Sequence, residues 1–347
     1  MTAERVDAMS DIGPDKLPMK PRPRPPDLQL PWTADQLPED PEFQTIFVTD
    51  LRGAPTPTDW AVLSDYMRRY PQLTLDVQSH DGGIPDLEFL AGFEWLTCLD
   101  IVGWTIESFD GLRHVPRLRT LSLSESKRRV PLDVLTQLPA LAHLAITDHS
   151  RDVDVLSDIP TLRSISLTSV KRDNLDFLGG AQQLGALHTT QGRFNDLSAL
   201  PSLPNLQMLS MYRTKVTELA PIGDCLQLAS LRLEGLPVAD VPDLNKLTKL
   251  EVVQIGKLKD FRDLAPIAAA PDLRYLRVES ATLQPADFRV LASHPRLEYL
   301  DANLKTDALS YQTNDVVGRP RDIDAVYEND FHAKLVSRIH ENDREVP

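Results

Sequence analysis

A chain of 347 residues with 41% hydrophobic and 25% charged residues has the composition of a folded, water-facing protein. Its formal net charge of −14 argues against nucleic acid or an anionic membrane as the main partner and favours a basic protein through long-range steering. Two cysteines, Cys98 and Cys225, do not suggest a disulfide framework and lack metal-ligand spacing, and the longest apolar run, LAPIAAAP at 264–271, falls short of a membrane span. With no apolar core in MTAERVDAMSDIGPDKLP to act as an export signal, a reducing cytoplasm is the expected setting.

The first 41 residues include KPRPRPPDLQLPW (20–32), too rich in proline to build a core. They are expected to form a disordered or polyproline-II tail, with a docking peptide as the alternative. Residues 42–95 then read as N-terminal cap units. FQTIFV from Phe43 and YPQLTL from Tyr70 predict strands near 43–48 and 73–77. Between them PTPTDWAVLSDYMRRY (55–70) places Trp60, Leu63 and Met67 on one helical face. Thr56 or Thr58 caps that helix, and Pro71 bars it from continuing.

From Leu96 one frame recurs: apolar-x-x-apolar-x-apolar. It reads LTCLDI (Leu96), LRTLSL (Leu118), LAHLAI (Leu141), LRSISL (Leu162), LGALHT (Leu184), LQMLSM (Leu206), LASLRL (Leu228), LEVVQI (Leu250), LRYLRV (Leu273) and LEYLDA (Leu297). Successive starts differ by 22, 23, 21, 22, 22, 22, 22, 23 and 24 residues, a period that suits neither a long helix nor a simple meander. With the two weaker N-terminal copies, twelve units are expected. After Leu304 the frame stops. The segment 305–347 is read as a C-terminal cap, whose stretch 322–342 carries Ile323, Tyr327, Phe331, Leu335 and Ile339 at helical steps of four. That helix is expected to cover the last unit's open edge, or alternatively to be swapped or partner-bound.

The L-x-x-L-x-L frame, with second halves such as DLSALPSLPNL, ELAPIGDCLQL and DLAPIAAAPDL, resembles the leucine-rich-repeat family. It is similar to the short bacterial repeats of internalins and of the regulator of protein phosphatase one. The resemblance implies an α/β horseshoe over 42–304: a concave parallel sheet of about twelve strands and a convex side of 3₁₀ or short helical returns. One departure stands out. Where the family places a turn-capping asparagine, this chain has Ser126, His149, Val170, Gly192, Thr214, Leu236, Leu258 and Ala281. Looser, less uniform turns are therefore expected, their backbone groups satisfied by water, hydroxyls or each other.

Strand alternation turns three positions per unit outward, onto a concave face about 55 Å long. From Thr120 to Thr190 those columns hold mostly Ser, Thr and Ala, with His143 and His188 as exceptions. From Met208 onward they hold Met208, Tyr212, Arg232, Glu234, Gln254, Tyr275, Arg277, Glu279, Tyr299 and Asp301, with Arg213 at a strand end. Tyr and Arg dominate the energetic centres of protein interfaces, so this half is the candidate protein-binding face. The plainer reading is that strand propensity selects the tyrosines and that Arg232/Glu234 and Arg277/Glu279 satisfy one another. No nucleophile elbow, phosphate loop or H-E-x-x-H motif is present, and the two concave histidines lie two units, roughly 10 Å, apart. Neither a catalytic site, a metal nor a cofactor is expected. The functional expectation is a cytoplasmic, bacterial, non-enzymatic scaffold, adaptor or regulator, that holds a partner protein. The alternative is an inhibitor or immunity-type protein neutralising a basic toxin or enzyme.

Overall fold

The structure is a computed structural model that describes residues 28–49, 53–78, 84–124 and 130–319. Among the described residues fourteen strands run in chain order. They are β1 (Thr45–Val48), β2 (Thr74–Gln78), β3 (Cys98–Val102), β4 (Thr120–Ser124), β5 (His143–Thr147), β6 (Ser164–Thr168), β7 (Lys171–Arg172), β8 (Ala186–Thr190), β9 (Arg193–Phe194), β10 (Met208–Tyr212), β11 (Ser230–Glu234), β12 (Val252–Gly256), β13 (Tyr275–Glu279) and β14 (Tyr299–Asn303). Twelve form one parallel sheet in strict chain order, and the two-residue β7 and β9 pair separately. The repeat is a solenoid because each unit is too short to enclose its own leucines and buries them against its neighbours. Leu121, Leu144, Ile165, Leu187, Leu209 and Leu231 stand opposite one another across six strands, and all are buried. Burying each such side chain contributes roughly 1.5–3 kcal/mol.

The return segments explain themselves by length. A 22-residue unit that spends five residues on a strand closes its loop with single 3₁₀ turns, such as Asp110–His114, Asp133–Gln137 and Ala220–Asp224. Short polar side chains start several of them: Asp86, Asp196, Asp243 and Asp263 each accept from the backbone amide two residues on, at 2.7–3.0 Å. The longer unit before β14 has room for a seven-residue 3₁₀ helix, Pro285–Leu291.

The turns leaving the concave sheet differ from the sequence expectation. In six successive units the residue after the strand is left-handed: Asp148, Ser169, Gln191, Arg213, Gly235 and Lys257, with φ between 49° and 66°. Each donates its amide to the last strand carbonyl of the next unit, as in Gln191 to Tyr212 at 2.9 Å and Arg213 to Glu234 at 2.7 Å. These turns are uniform, not loose. A backbone ladder between units takes the place of the absent turn-capping asparagines, so of the expected alternatives the backbone groups satisfy each other. The Ser126 turn lies outside the described residues.

The ends correct the sequence reading further. Helix α1 (Pro57–Arg69) begins with a capping box in which Thr56 and Asp59 bond reciprocally. The second oxygen of Asp59 accepts the Trp32 amide at 2.7 Å, and Trp32 is 3% exposed, edge-on to Trp60 at 5.0 Å. Trp60 in turn stacks on Phe89 at 3.8 Å. Residues from Leu28 onward are therefore packed and not tail: one indole supplies the apolar area that the proline-rich composition concealed. The second repeat copy is also two residues out of frame. Leu75 and Val77, not Leu73 and Leu75, stand opposite Leu99 and Ile101. At the far end, α3 (Asp307–Val317), preceded by α2 (Ala265–Ala268) in an earlier unit, lies over β14. Asn314 donates to the Leu300 carbonyl, Ser310 accepts the Leu304 amide, and Arg319 donates to the Leu297 carbonyl, at 2.7–3.0 Å. Side chains satisfy the edge of β14, which among the described residues pairs with no further strand. The helix read from 322–342 lies outside the described residues.

Candidate protein-binding face

Register turns the three outward positions into columns. In the first, Ala186, Met208, Ser230, Val252, Tyr275 and Tyr299 stand opposite one another, and in the second His188, Ser210, Arg232, Gln254, Arg277 and Asp301. The third runs Thr190, Tyr212, Glu234, Gly256, Glu279 and Asn303. Every residue named from the sequence thus belongs to one continuous array on β10–β14, with Arg213 at its margin.

Membership of the array does not make a residue accessible. Met208 is 1% exposed and Tyr275 9%. Met208, in register with Ala186 and Ser230, therefore presents almost no surface to a partner, contrary to the sequence expectation. Tyr275 lies flat against Tyr299, centroids 5.2 Å apart and planes 6° from parallel, so Tyr299 is the accessible member of that pair. Burial raises the Tyr275 phenol above its usual range, opposed by the Arg274 charge. Tyr212 remains partly exposed, with the Arg213 guanidinium 5.1 Å from its ring centroid.

The charges of the array are engaged with one another. Arg232 bonds Glu234 at 2.7 Å on its own strand. Arg277 meets Asp301 at 3.4 Å rather than Glu279, which takes Lys257 at 3.1 Å instead. A partner reaching this face meets oriented ion pairs already formed, in a setting that removes part of their hydration. At the other end of the second column the situation reverses. Asp76 and Asp100 stand opposite each other on β2 and β3, and Asp76 is 5% exposed, with one carboxylate oxygen lacking a hydrogen-bond partner. Burial pushes the Asp76 carboxyl up to about 7, opposed by a hydrogen bond from Gln78 and reinforced by Asp100. Burial likewise raises Asp100. The frame error in the second copy hid Asp76. Counted from Gln72, it falls between the last two apolar residues, as Asp100 does.

A hollow of about 420 Å³ opens where β12–β14 begin, lined by Glu251, Asp272, Arg274, Arg296 and Glu298. Arg274 bridges Glu251 and Glu298, at 3.5 and 2.7 Å, and Arg296 meets Asp272 at 3.1 Å. These pairs lace three consecutive units together. Among the described residues no group of three His, Cys, Asp or Glu converges as metal ligands would, and no helix is long and apolar enough to cross a membrane.

No protein-family model matches the chain, and no curated protein matches it. Solved structures do. An internalin (inlF) from Listeria monocytogenes is 17% identical over 75% of this chain and 80% of its own, with a TM-score of 0.50. Internalin C2 (inlC2) of the same organism is 22% identical over 50% of this chain and 76% of its own, TM-score 0.43. The functional domain of InlJ, also from Listeria monocytogenes, is 16% identical over 76% and 54%, TM-score 0.46. At these identities the likeness concerns fold. Taken with the twelve in-register strands and the 3₁₀ returns, the inlF likeness shows that the fold is a leucine-rich-repeat solenoid like that of the internalins.

Proposed function

We propose that the chain is a non-enzymatic protein-binding scaffold, an adaptor or regulator, whose partner lies against the C-terminal half of the concave sheet. The observation that carries this reading is the alignment of Tyr212, Arg232, Gln254, Arg277 and Tyr299, all partly exposed, within five adjacent strands. Aromatic and guanidinium groups held rigidly by a sheet lose little conformational freedom on binding, the property that makes them energetic anchors. Formed ion pairs, already shielded in part from water, add direction while leaving less hydration to be removed on binding. The test is capture of proteins from the native host by the wild-type chain and by Tyr212→Ala/Arg277→Ala. The same captured protein must be lost from the variant while both chains melt alike; equal capture by the two refutes this placement.

An inhibitor of a basic protein is the second reading, and it draws on the net charge of −14, with the part-exposed Asp100 as a representative acid, rather than on the C-terminal strands. That mode of binding would show steeply salt-dependent association. Sensitivity to Asp100→Asn and indifference to Tyr212→Ala would favour it.

A further inference from the structure

The turn rim bordering the concave face carries a feature that neither reading uses. Beyond the left-handed corner each chain continues in a short extended segment, and three of these pair in parallel: Lys171 opposite Arg193, and Arg193 opposite Lys215. Residues at one register position of adjacent parallel strands project to the same side. Their neighbours turn inward: Phe194 and Val216 are buried, and Arg172 is part-buried against Asp154 at 2.5 Å. All three of Lys171, Arg193 and Lys215 are exposed, and none makes a side-chain hydrogen bond or an ion pair among the described residues. The nearby acids are held elsewhere: Asp173 accepts from Asn195, and Asp196 from the Ser198 amide.

Three like charges in file, about 4.8 Å apart, repel one another and weaken the turn that holds them. The arrangement also runs against the character of a chain whose net charge is −14. Several surface cations elsewhere on this protein have carboxylates within reach, as Arg113 has Glu88, Lys246 has Asp224 and Lys257 has Glu279. Here the file is bounded by Ser150 on one side, whose hydroxyl takes the Lys171 amide, and by Pro237 two residues past the next left-handed corner on the other. Arg213, two residues before Lys215, joins this rim to Tyr212 on the concave face.

We infer that Lys171, Arg193 and Lys215 form a docking edge for an acidic, extended segment of a partner protein. The inference rests on the scaffold reading only for the partner being a protein. Alternate residues of an extended peptide lie about 6.6 Å apart on one side, so two or three carboxylates match a file that long flexible side chains can adjust. A short acidic segment is favoured over a polynucleotide because the latter brings a charge at every residue into the field of a strongly anionic protein. The partner's bulk is then placed over β10–β14, next to Tyr212.

The experiment is fluorescence anisotropy with the full chain and a short labelled peptide of alternating aspartate and serine, against an all-serine peptide and an oligodeoxythymidine. Wild-type protein is expected to bind the acidic peptide in a salt-sensitive way. Lys171→Glu/Arg193→Glu/Lys215→Glu should weaken it about tenfold or more. The neutral triple Lys171→Gln/Arg193→Gln/Lys215→Gln should fall between, and it decides the matter if charge reversal impairs folding. Tyr212→Ala/Arg277→Ala should leave peptide binding unchanged, which separates failure of the rim from failure of the concave face. Three results overturn the inference: no binding of the acidic peptide by wild type, equal binding by the neutral triple, or displacement of the peptide by oligodeoxythymidine.

Discussion

The two halves of the concave sheet share a backbone and differ in almost everything that faces outward. On β4–β8 the columns are dominated by Ser122, Ser124, Ser164, Ser166, Thr168 and Thr190, short side chains that complete the surface without projecting from it. On β10–β14 the same positions hold stacked tyrosines and paired arginines. Because the inward positions are leucine-like in both halves, the solenoid places no demand on the outward ones. Their divergence is what the fold leaves free for recognition. A second contrast runs along the middle column, where two buried acids sit at opposite ends. Asp301, 8% exposed, has Arg277 within 3.4 Å, whereas Asp76 faces another carboxylate, that of Asp100.

The comparison breaks if the cores of the two halves are unequal. Ile165→Ala in the first half and Leu231→Ala in the second should each cost about 2–5 kcal/mol in denaturant unfolding, because both are fully buried between like neighbours. A large difference would mean that the halves fold as separate units.

The acids sharpen it next. A carboxyl whose folded pKa is raised keeps its proton where the unfolded chain would lose it, so Asp76 subtracts stability progressively as pH climbs from the ordinary carboxylate range to about 7. Asp76→Asn should therefore stabilise the protein at pH 8, by at most about 4 kcal/mol, and change little at acid pH. Asp301→Asn should do the opposite at pH 8, because it leaves Arg277 without its carboxylate. Thermal midpoints across pH measure both.

Binding provides the third test. Against a captured partner, Tyr212→Ala or Arg277→Ala should cost about 2 kcal/mol or more, while Ser166→Ala and Thr168→Ala cost less than about 0.5. Isothermal titration that found the order reversed would move the site to the serine-rich half.

Smaller effects belong to the turns. Gly235→Ala forces a side chain into a left-handed corner with φ 66°, where a Cβ would lie 3.1 Å from Arg213 Cγ, and should cost about 1 kcal/mol. Gln191→Gly, at φ 53° in the first half, relieves such a strain and should gain less than that. Equal and opposite shifts in melting temperature would show that the backbone ladder tolerates both halves alike.

Apolar spacing by itself determined the repeat and its length, and the likeness of that frame to leucine-rich repeats implied the solenoid, the strand positions from Leu96 onward and the three outward columns, because in a stacked repeat the inward residues report directly on burial against similar neighbours. It failed where neighbours are not identical. Tyr70, Leu73 and Leu75 imitate the frame, yet pairing with β1 and β3 shifts that strand by two residues and brings Asp76 against Asp100. The packing of Trp32 on α1 and the sealing of β14 by Asn314, Ser310 and Arg319 depend on single side chains meeting backbone across the ends, with no period to betray them. Which outward residues are accessible was likewise decided only in three dimensions. Facing away from the core is a property of a strand, whereas the exposure that separates Tyr212 from Met208 depends on what stands on the strands beside it.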